Sequence, residues 1–232
     1  FPVARQLYQQ ANDILGYDLL KLCLEGPEDD LRLTRHTQPA LLVHSLACLE
    51  IFRELTDNQV QPVLTAGHSL GEYCALVAAG TLSFETALEL VRKRGEFMGT
   101  YGAGEMLAFP LHLDNIHPMA EKHYCVISAR NLLDQTVVGG LADDLDRLTA
   151  EAHAQFPRKR PTRLKTEGAF HTFHMITAAL HFRPVLDAAE MSAPTVRVLS
   201  NYTGTYHDPD PAAIKTRLFF QLFYPVHWID NL

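Results

Sequence analysis

The sequence lacks any apolar run that approaches the ~20 residues needed to cross a bilayer. Cysteine is scarce: the four present are widely spaced without a Cys-x-x-Cys pair, which argues against a disulfide framework or zinc site and fits reduced thiols in the cytoplasm. Basic residues are outnumbered, giving a net charge of −7, so we do not expect a nucleic-acid binder. The twelve histidines show no metal-ligand spacing such as His-Glu-x-x-His. These absences predict a protein without a metal site, a nucleic-acid partner or a membrane span.

What remains is a chain of 232 residues, 47% hydrophobic, which is long enough to bury a sizeable core. The stretch 106–166 shows a β-α-β-β-α-β order of short elements, which is typical of a ferredoxin-like fold. The stretches 1–105 and 167–232 show longer helical patterns and a few buried strands. We therefore predict an α/β fold with a large, α/β-hydrolase-like subdomain that is interrupted by a small ferredoxin-like subdomain.

The most informative motif is a Gly-x-Ser-x-Gly at 67–71, with Ser69 at its centre. An apolar strand pattern precedes it at 63–66 and an Ala-rich helical pattern follows at 74–79, as in a nucleophile elbow. A serine at a helix N-terminus also lies where developing negative charge is favoured. The alternative interpretation is a capping box, because Ser69 and Glu72 match Ser-x-x-Glu. The strand–turn–helix setting favours the nucleophile.

A nucleophilic serine needs a base, and histidine is the usual partner because its pKa lies near neutrality. Residue chemistry alone does not choose among the twelve histidines. A lipase-type hydrolase would also need an acidic residue between the serine and the histidine in chain order. Between residues 69 and 171 the aspartates all fall in the predicted small subdomain: Asp114, Asp134, Asp143, Asp144 and Asp146.

Arg94 falls on the apolar face of a predicted helix at 84–98. The residues of that face recur at three- and four-residue steps: Phe84, Leu88, Val91, Gly95 and Met98. A buried arginine needs an anionic partner. The partner is either a glutamate of the chain, in a structural ion pair, or the carboxylate of a ligand.

Three segments together resemble the malonyl-CoA:acyl carrier protein transacylase family: the elbow at 67–73, Arg-Gly-Glu-Phe-Met at 94–98, and Gly-Ala-Phe-His at 168–171. Further matches lie at 37–41, 104–106 and 224–228, in the family's order and over nearly the whole chain. Members of the family begin with a strand and a Gly-Gln-Gly-Ser-Gln loop ahead of the first helix. We expect that strand and loop to be absent from the present chain, which also opens without a targeting pattern.

The resemblance implies a Ser–His dyad made of Ser69 and His171, with the imidazole oriented by the backbone carbonyl at the position matching Asn201. It also implies that the N–H of Leu70 stabilises the oxyanion, the second donor coming from the Gly-Gln-Gly-Ser-Gln loop. Arg94 is implied to clamp the malonyl carboxylate.

The remaining implied contacts surround the acyl group and the carrier. Gln38 and His68 would line the substrate pocket, and Phe170 would limit it to malonyl rather than methylmalonyl. The partners would be malonyl-CoA and the phosphopantetheine arm of an acyl carrier protein. The implied reaction follows a ping-pong course without a metal or tightly held cofactor and serves fatty-acid or polyketide synthesis. The alternative within this fold is an acyl hydrolase that clears carrier proteins.

A dense basic run precedes the Gly-Ala-Phe-His segment in an otherwise acidic chain: Arg158, Lys159, Arg160, Arg163 and Lys165. It is either a solvated surface or a docking site for an acidic carrier protein and the CoA phosphates.

Overall fold

The computed structural model describes all residues from 1 to 232 as a mixed α/β protein with two sheets. Its helices are α1 Pro2–Leu15, α2 Leu19–Glu25, α3 Glu28–Arg32, α4 Thr34–Leu55, α5 Gly71–Ala78, α6 Phe84–Tyr101, α7 Leu113–Lys122, α8 Ala142–Gln155, α9 Ile176–Ala188, α10 Pro211–Gln221 and α11 Trp228–Asn231. Its strands are β1 Leu64–Thr65, β2 Glu105–Phe109, β3 Val126–Leu132, β4 Gln135–Gly140, β5 Thr162–Arg163, β6 Arg197–Ser200 and β7 Thr205–Tyr206. None of the helices combines the length and the apolar character that crossing a bilayer requires.

The first sheet has the order β1-β6-β7. Strands β1 and β6 run parallel, with Thr65 opposite Val198, and β7 adds to β6 in the antiparallel sense. Parallel strands end at the same edge of a sheet, so the segments that follow β1 and β6 emerge side by side. Those two segments carry Ser69 and Asn201.

Helices α4, α5, α6, α9 and α10 surround this sheet and share one apolar core, which includes the fully buried Leu76, Leu88 and Phe182. Helix α6 approaches the start of α4 closely, because a Cβ added at Gly95 would lie 2.5 Å from the carbonyl oxygen of Thr34. The close approach brings polar side chains of α4 and α6 into contact inside the core.

The second sheet is antiparallel with the order β3-β4-β2-β5, and α7 and α8 pack against it. Its own core contains the fully buried Phe109, Ile116 and Leu145. The C-terminal segment joins the two parts of the chain, because Arg130 on β3 donates a backbone hydrogen bond to Val226 at 2.9 Å.

The periodic helix predicted at 84–98 and the β-α-β-β-α-β order predicted in 106–166 are both present. Helix α6 ends three residues beyond the predicted bound of 98. Strand β3 begins only at Val126, because Tyr124 adopts φ +59° in the turn after α7 and is not extended. Helices α2, α3 and α11 and strand β7 were not predicted, since each is too short to show a period.

Candidate active site

The turn between β1 and α5 has the geometry of a nucleophile elbow. Ser69 adopts φ +52°, in the left-handed region that non-glycine residues rarely occupy. A Cβ added at Gly67 would lie 1.9 Å from the carbonyl oxygen of Gly71, so the chain passes itself too closely there for any side chain. The predicted strand–turn–helix setting of Ser69 is therefore present, and the backbone stores strain at the serine.

The capping-box interpretation of Ser69 and Glu72 is wrong. Helix α5 begins at Gly71 with Leu70 as its N-cap residue, and no side chain caps it. The hydroxyl of Ser69 contacts His171, whereas the carboxylate of Glu72 is fully buried and points into the protein.

Ser69 and His171 form a hydrogen-bonded pair in which Ser69 Oγ lies 2.8 Å from His171 Nε2. The other ring nitrogen, Nδ1, lies 2.6 Å from the backbone carbonyl oxygen of Gln221. A carbonyl only accepts, so Nδ1 carries the hydrogen and Nε2 is free to accept the serine proton. Burial, together with the positive charge of Arg94, lowers the pKa of His171 to about 3, which keeps the imidazole neutral.

The prediction that the Asn201 carbonyl orients the imidazole is wrong. That carbonyl accepts a hydrogen bond from the backbone N–H of His227 at 2.9 Å, and the carbonyl of Gln221 at the end of α10 takes the orienting position. The side chain of Asn201 instead holds the elbow. Its Oδ1 accepts from the N–H of Ser69 at 2.6 Å, and its Nδ2 donates to the carbonyl of Gly67 at 2.8 Å.

Sequence reasoning missed Gln221 altogether. It is one polar residue within the apolar run Leu218-Phe219-Phe220-Gln221-Leu222-Phe223, and it is 1% exposed. A lone amide in such a run is the available signal, because a buried amide requires hydrogen-bond partners.

Arg94 is 1% exposed, and all of its hydrogen-bond partners are neutral. Its Nη1 donates to Gln38 Oε1 at 2.8 Å, and its Nη2 donates to Gln221 Oε1 at 3.0 Å and to Ser69 Oγ at 3.1 Å. Its guanidinium carbon lies 5.7 Å from the centre of the Tyr73 ring, and its Nε has no partner. No carboxylate forms an ion pair with it, so the alternative of a structural pair with a glutamate is not found.

A cleft of about 380 Å³ opens over Ser69 and the guanidinium of Arg94. The predicted pocket residues Gln38, His68, Leu70 and Phe170 all line it, as do Ser69 and Arg94 themselves. The backbone N–H of Leu70 donates to no acceptor of the chain and is therefore available to an oxyanion.

His68 lines this cleft and contacts both the second sheet and the C-terminal segment. Its Nε2 lies 2.8 Å from Asn131 Oδ1 on β3, and its ring meets Trp228 edge-on with centroids 5.4 Å apart. The imidazole of His68 thus contacts Asn131 and Trp228, whereas the hydrogen bond of Ser69 Oγ to an imidazole is to that of His171.

The five residues of the basic run lie in three different surroundings. Arg158, Lys159 and Arg160 are exposed in the loop after α8. Arg163 is held by ion pairs with Glu105 and Asp146 on the small sheet's side, and Lys165 lines the cleft.

A second polar cluster lies beneath the elbow and was not foreseen. Glu72 Oε2 accepts from the backbone N–H of Asn201 and from Gln221 Nε2, each at 3.0 Å. Glu72 Oε1 lies 2.6 Å from His207 Nε2, and both side chains are fully buried. The sequence indicated Glu72 only as a helix cap and gave no sign of His207.

Taken together, the cleft presents a serine with a neutral base, a free backbone donor and a buried cation without an anion. That set can transfer an acyl group that carries a carboxylate. No group of three or more His, Cys, Asp or Glu side chains is placed to hold a metal ion.

Comparison with known proteins points in the same direction. A family model described as an acyl transferase domain matches residues 3–213. A malonyl CoA-acyl carrier protein transacylase of Bacillus subtilis is 37% identical over 240 residues, covering 100% of this chain and 74% of that protein. A solved malonyl CoA-acyl carrier protein transacylase of Coxiella burnetii has a TM-score of 0.93 at 32% identity and covers 100% of this chain and 74% of its own. A second structure, of a type II PKS acyl-carrier protein in complex with its malonyl-transacylase, gives a TM-score of 0.93 at 33% identity, covering 100% of this chain and 76% of that one.

Proposed function

The chain belongs to the acyl transferase domain family, and from that premise we propose that it moves a malonyl group from malonyl-CoA to the phosphopantetheine thiol of an acyl carrier protein. Its relatives carry the name of that reaction over the full length of this chain. The observation that supports it best within the molecule is Arg94, a buried guanidinium with only neutral partners beside the nucleophile.

In the first half-reaction Ser69 Oγ attacks the thioester carbonyl while His171 Nε2 takes its proton. The carbonyl oxygen becomes an oxyanion beside the N–H of Leu70, and each such donor is worth roughly 2.7–4 kcal/mol of barrier. When the intermediate collapses, the C–S bond breaks and the CoA sulfur takes the proton from His171. A malonyl ester of Ser69 remains.

In the second half-reaction the thiol of the carrier's phosphopantetheine arm gives its proton to His171. The sulfur attacks the ester carbonyl, and the same N–H holds the new oxyanion. The bond from carbon to Ser69 Oγ breaks, and the serine regains the proton from His171. The imidazole must be neutral at the start of both halves, and its pKa of about 3 meets that requirement.

Selection of the acyl group follows from the charge of Arg94. The free carboxylate of a malonyl group can form a bidentate pair with the guanidinium, which also donates to Gln38 Oε1. An acetyl group would leave the cation unpaired in a buried site, which is the kind of mismatch that gives strong discrimination. Phe170, half-buried in the wall of the cleft, would hinder a branch on the malonyl carbon.

We also propose that the carrier protein docks on the exposed part of the basic run, at Arg158, Lys159 and Arg160. These side chains are free in the loop after α8, whereas Arg163 is already paired. Lys165 lines the cleft and is placed to meet a phosphate of CoA or of the pantetheine arm.

The order of the elements and strands supports the two subdomains expected from the sequence. The β-α-β-β-α-β order and the sheet order β3-β4-β2-β5 favour a ferredoxin-like small subdomain at about 106–166, set into an α/β-hydrolase-like part formed by 1–105 and 167–232. Four free cysteines and CoA-linked substrates favour the cytoplasm as the location of the protein.

Intact-protein mass spectrometry tests the function directly. The protein is mixed with malonyl-, methylmalonyl-, acetyl- and succinyl-CoA, and then with a carrier protein that bears its phosphopantetheine arm. We expect one malonyl mass on Ser69, its loss in Ser69→Ala, and its transfer to the carrier.

His171→Ala should slow both half-reactions by ~10²–10⁴-fold, the usual worth of general acid–base catalysis. An acyl group on another residue would disprove the assignment of the nucleophile. Rapid loss of the adduct to water, with the carrier left unmodified, would indicate a hydrolase instead.

A further inference from the structure

The carboxylate of Glu72 is buried with no lysine or arginine in contact. Its side chain is fully enclosed, and its three hydrogen-bond donors are a backbone N–H, an amide and an imidazole. Burying an ionised carboxylate is costly unless several donors compensate it. Glu72 is compensated by donors on three separate segments, so it fixes those segments relative to one another.

The first segment follows β6 and carries Asn201. Glu72 Oε2 accepts from the backbone N–H of Asn201 at 3.0 Å. The Asn201 side chain spans the elbow, because it accepts from Ser69 N and donates to the carbonyl of Gly67. The left-handed conformation of Ser69 is therefore supported from a backbone that Glu72 holds.

The second segment is the end of α10, where Glu72 fixes the rotation of the Gln221 amide. Gln221 Nε2 donates to Glu72 Oε2 at 3.0 Å and to the carbonyl of Ser69 at 2.8 Å. This leaves Gln221 Oε1 facing the Nη2 donor of Arg94. A rotated amide would place its NH₂ group against the guanidinium and its oxygen against the carboxylate, which breaks three hydrogen bonds at once.

The backbone of Gln221 completes the connection, because its carbonyl accepts from Nδ1 of His171. Three groups thus depend on Glu72 through one intermediate residue each: the nucleophile through Asn201, and the base and the guanidinium through Gln221.

We propose that Glu72 is a positioning residue. It holds Ser69, His171 and Arg94 in their positions relative to one another, through Asn201 and Gln221. The proposal rests on the proposed function in that it treats these three as the reacting and binding groups. His207 completes the site by donating to the second carboxylate oxygen, which keeps Glu72 from turning away from Asn201 and Gln221.

Two substitutions at Glu72 separate this role from simple packing. Glu72→Leu removes every acceptor. Glu72→Gln keeps one oxygen for the donors of Asn201 and Gln221, while its NH₂ group faces His207, whose imidazole accepts after a change of tautomer. A positioning role therefore predicts that the amide variant regains most of what the leucine variant loses.

The measurement is the rate at which a fluorophosphonate reagent modifies Ser69 at pH 7, per folded molecule. This reaction uses the serine and its base but neither malonyl-CoA nor a carrier protein. Selectivity for malonyl- over acetyl-CoA is measured in parallel, because it reports the placement of Arg94. Thr136→Val is the matched control, since Thr136 on β4 is also buried and loses one hydrogen bond, to the carbonyl oxygen of Leu111.

We expect Glu72→Leu to slow the modification at least tenfold and to reduce selectivity, Glu72→Gln to stay within about threefold of the original rate, and Thr136→Val to change neither. If Glu72→Leu does not fold, the rate of modification in Gln221→Leu tests the proposal instead. That substitution removes the side-chain amide that Glu72 holds and keeps the backbone carbonyl of residue 221. An unchanged rate in folded Glu72→Leu or in Gln221→Leu would overturn the proposal. If the unaltered protein transfers no malonyl group, the proposed function fails, and the fluorophosphonate rates still decide the role of Glu72.

Discussion

Arg94 donates a hydrogen bond to the hydroxyl of Ser69 at 3.1 Å, so the residue proposed to bind the substrate also contacts the nucleophile. The same guanidinium helps to lower the pKa of His171. One buried charge therefore acts on the acyl group, the nucleophile and the base. Substitutions at Arg94 should change selectivity and pH dependence together.

Arg94→Met is expected to reduce malonyl transfer far more than acetyl transfer. Truncating one partner of a dry, hydrogen-bonded charge pair costs about 2–5 kcal/mol, which corresponds to roughly 30-fold or more in rate. An acetyl group never forms that pair, so its rate should fall less and the ratio of malonyl to acetyl transfer should collapse. Steady-state rates with both CoA esters provide the measurement.

Arg92→Ala is the control for this substitution. Arg92 lies on the same helix, but it pairs with Glu89 outside the cleft, and its removal should leave the ratio unchanged. Equal losses for malonyl and acetyl in Arg94→Met would mean that the guanidinium serves the fold or the nucleophile and not the carboxylate.

The pH dependence should show a base that stays neutral in mildly acid solution. An imidazole with the ordinary pKa of ~6.5 would lose about 30-fold in its neutral fraction between pH 8 and pH 5. Burial and the charge of Arg94 lower the pKa of His171 to about 3, so the rate of fluorophosphonate modification of Ser69 should hardly fall over that range.

Arg94→Met should move the acid limb of this profile to higher pH. Removing a nearby positive charge makes the imidazolium less unfavourable, and the pKa of His171 then rises. The rise should be partial, since burial is the larger cause and remains. A profile that falls with a midpoint near 6.5 in the unaltered protein would contradict the neutral, buried base.

The two glycines of the elbow should respond oppositely to alanine. A Cβ at Gly67 would lie 1.9 Å from the backbone oxygen of Gly71, whereas a Cβ at Gly71 would meet nothing within 4 Å. Gly67→Ala is therefore expected to lower stability by ~3 kcal/mol or more, or about 6–12 °C in Tm for a chain of this size.

Gly71→Ala is the matched control at the first residue of α5. Alanine is favoured over glycine in helices by roughly 0.5–1 kcal/mol, so this variant should be as stable as the parent or slightly more stable. Thermal unfolding followed by circular dichroism distinguishes the two, and a Gly67→Ala protein with an unchanged Tm would refute the close approach.

The elbow and the burial of Arg94 could be predicted because local patterns encode them. The segment around Ser69 has a strand, a turn and a helix in sequence, and Arg94 follows the period of an apolar helix face. Neither feature depends on which distant segment packs nearby.

The orienting carbonyl and the role of Glu72 depend on distant packing and were missed. The choice of Gln221 over Asn201 depends on where α10 ends relative to His171, 50 residues away in the chain. Backbone carbonyls are present at every position, so residue identity carries no signal for which one is used. Glu72 meets its partners 129 and 135 positions away, at Asn201 and His207, and only the tertiary fold brings them together.

The basic loop after α8 provides the final prediction. Arg158→Glu combined with Lys159→Glu should raise the Michaelis constant for the carrier protein severalfold at low salt, because both side chains are exposed and an acidic carrier would be repelled. Acylation of Ser69 by malonyl-CoA alone should change much less, since the acyl group binds in the cleft. The effect should shrink as salt is added, because exposed charges are screened beyond ~10 Å at 0.1 M.

Arg5→Glu combined with Lys21→Glu is the matched control, with the same change in net charge at exposed residues of α1 and α2. It should leave the carrier's Michaelis constant unchanged, so that a general effect of net charge is separated from docking. Equal effects in the two double variants would show that total charge steers the carrier rather than this loop.

Lys165→Glu should act differently from both. Lys165 lines the cleft, so its reversal should slow acylation by malonyl-CoA as well, if it meets a phosphate there.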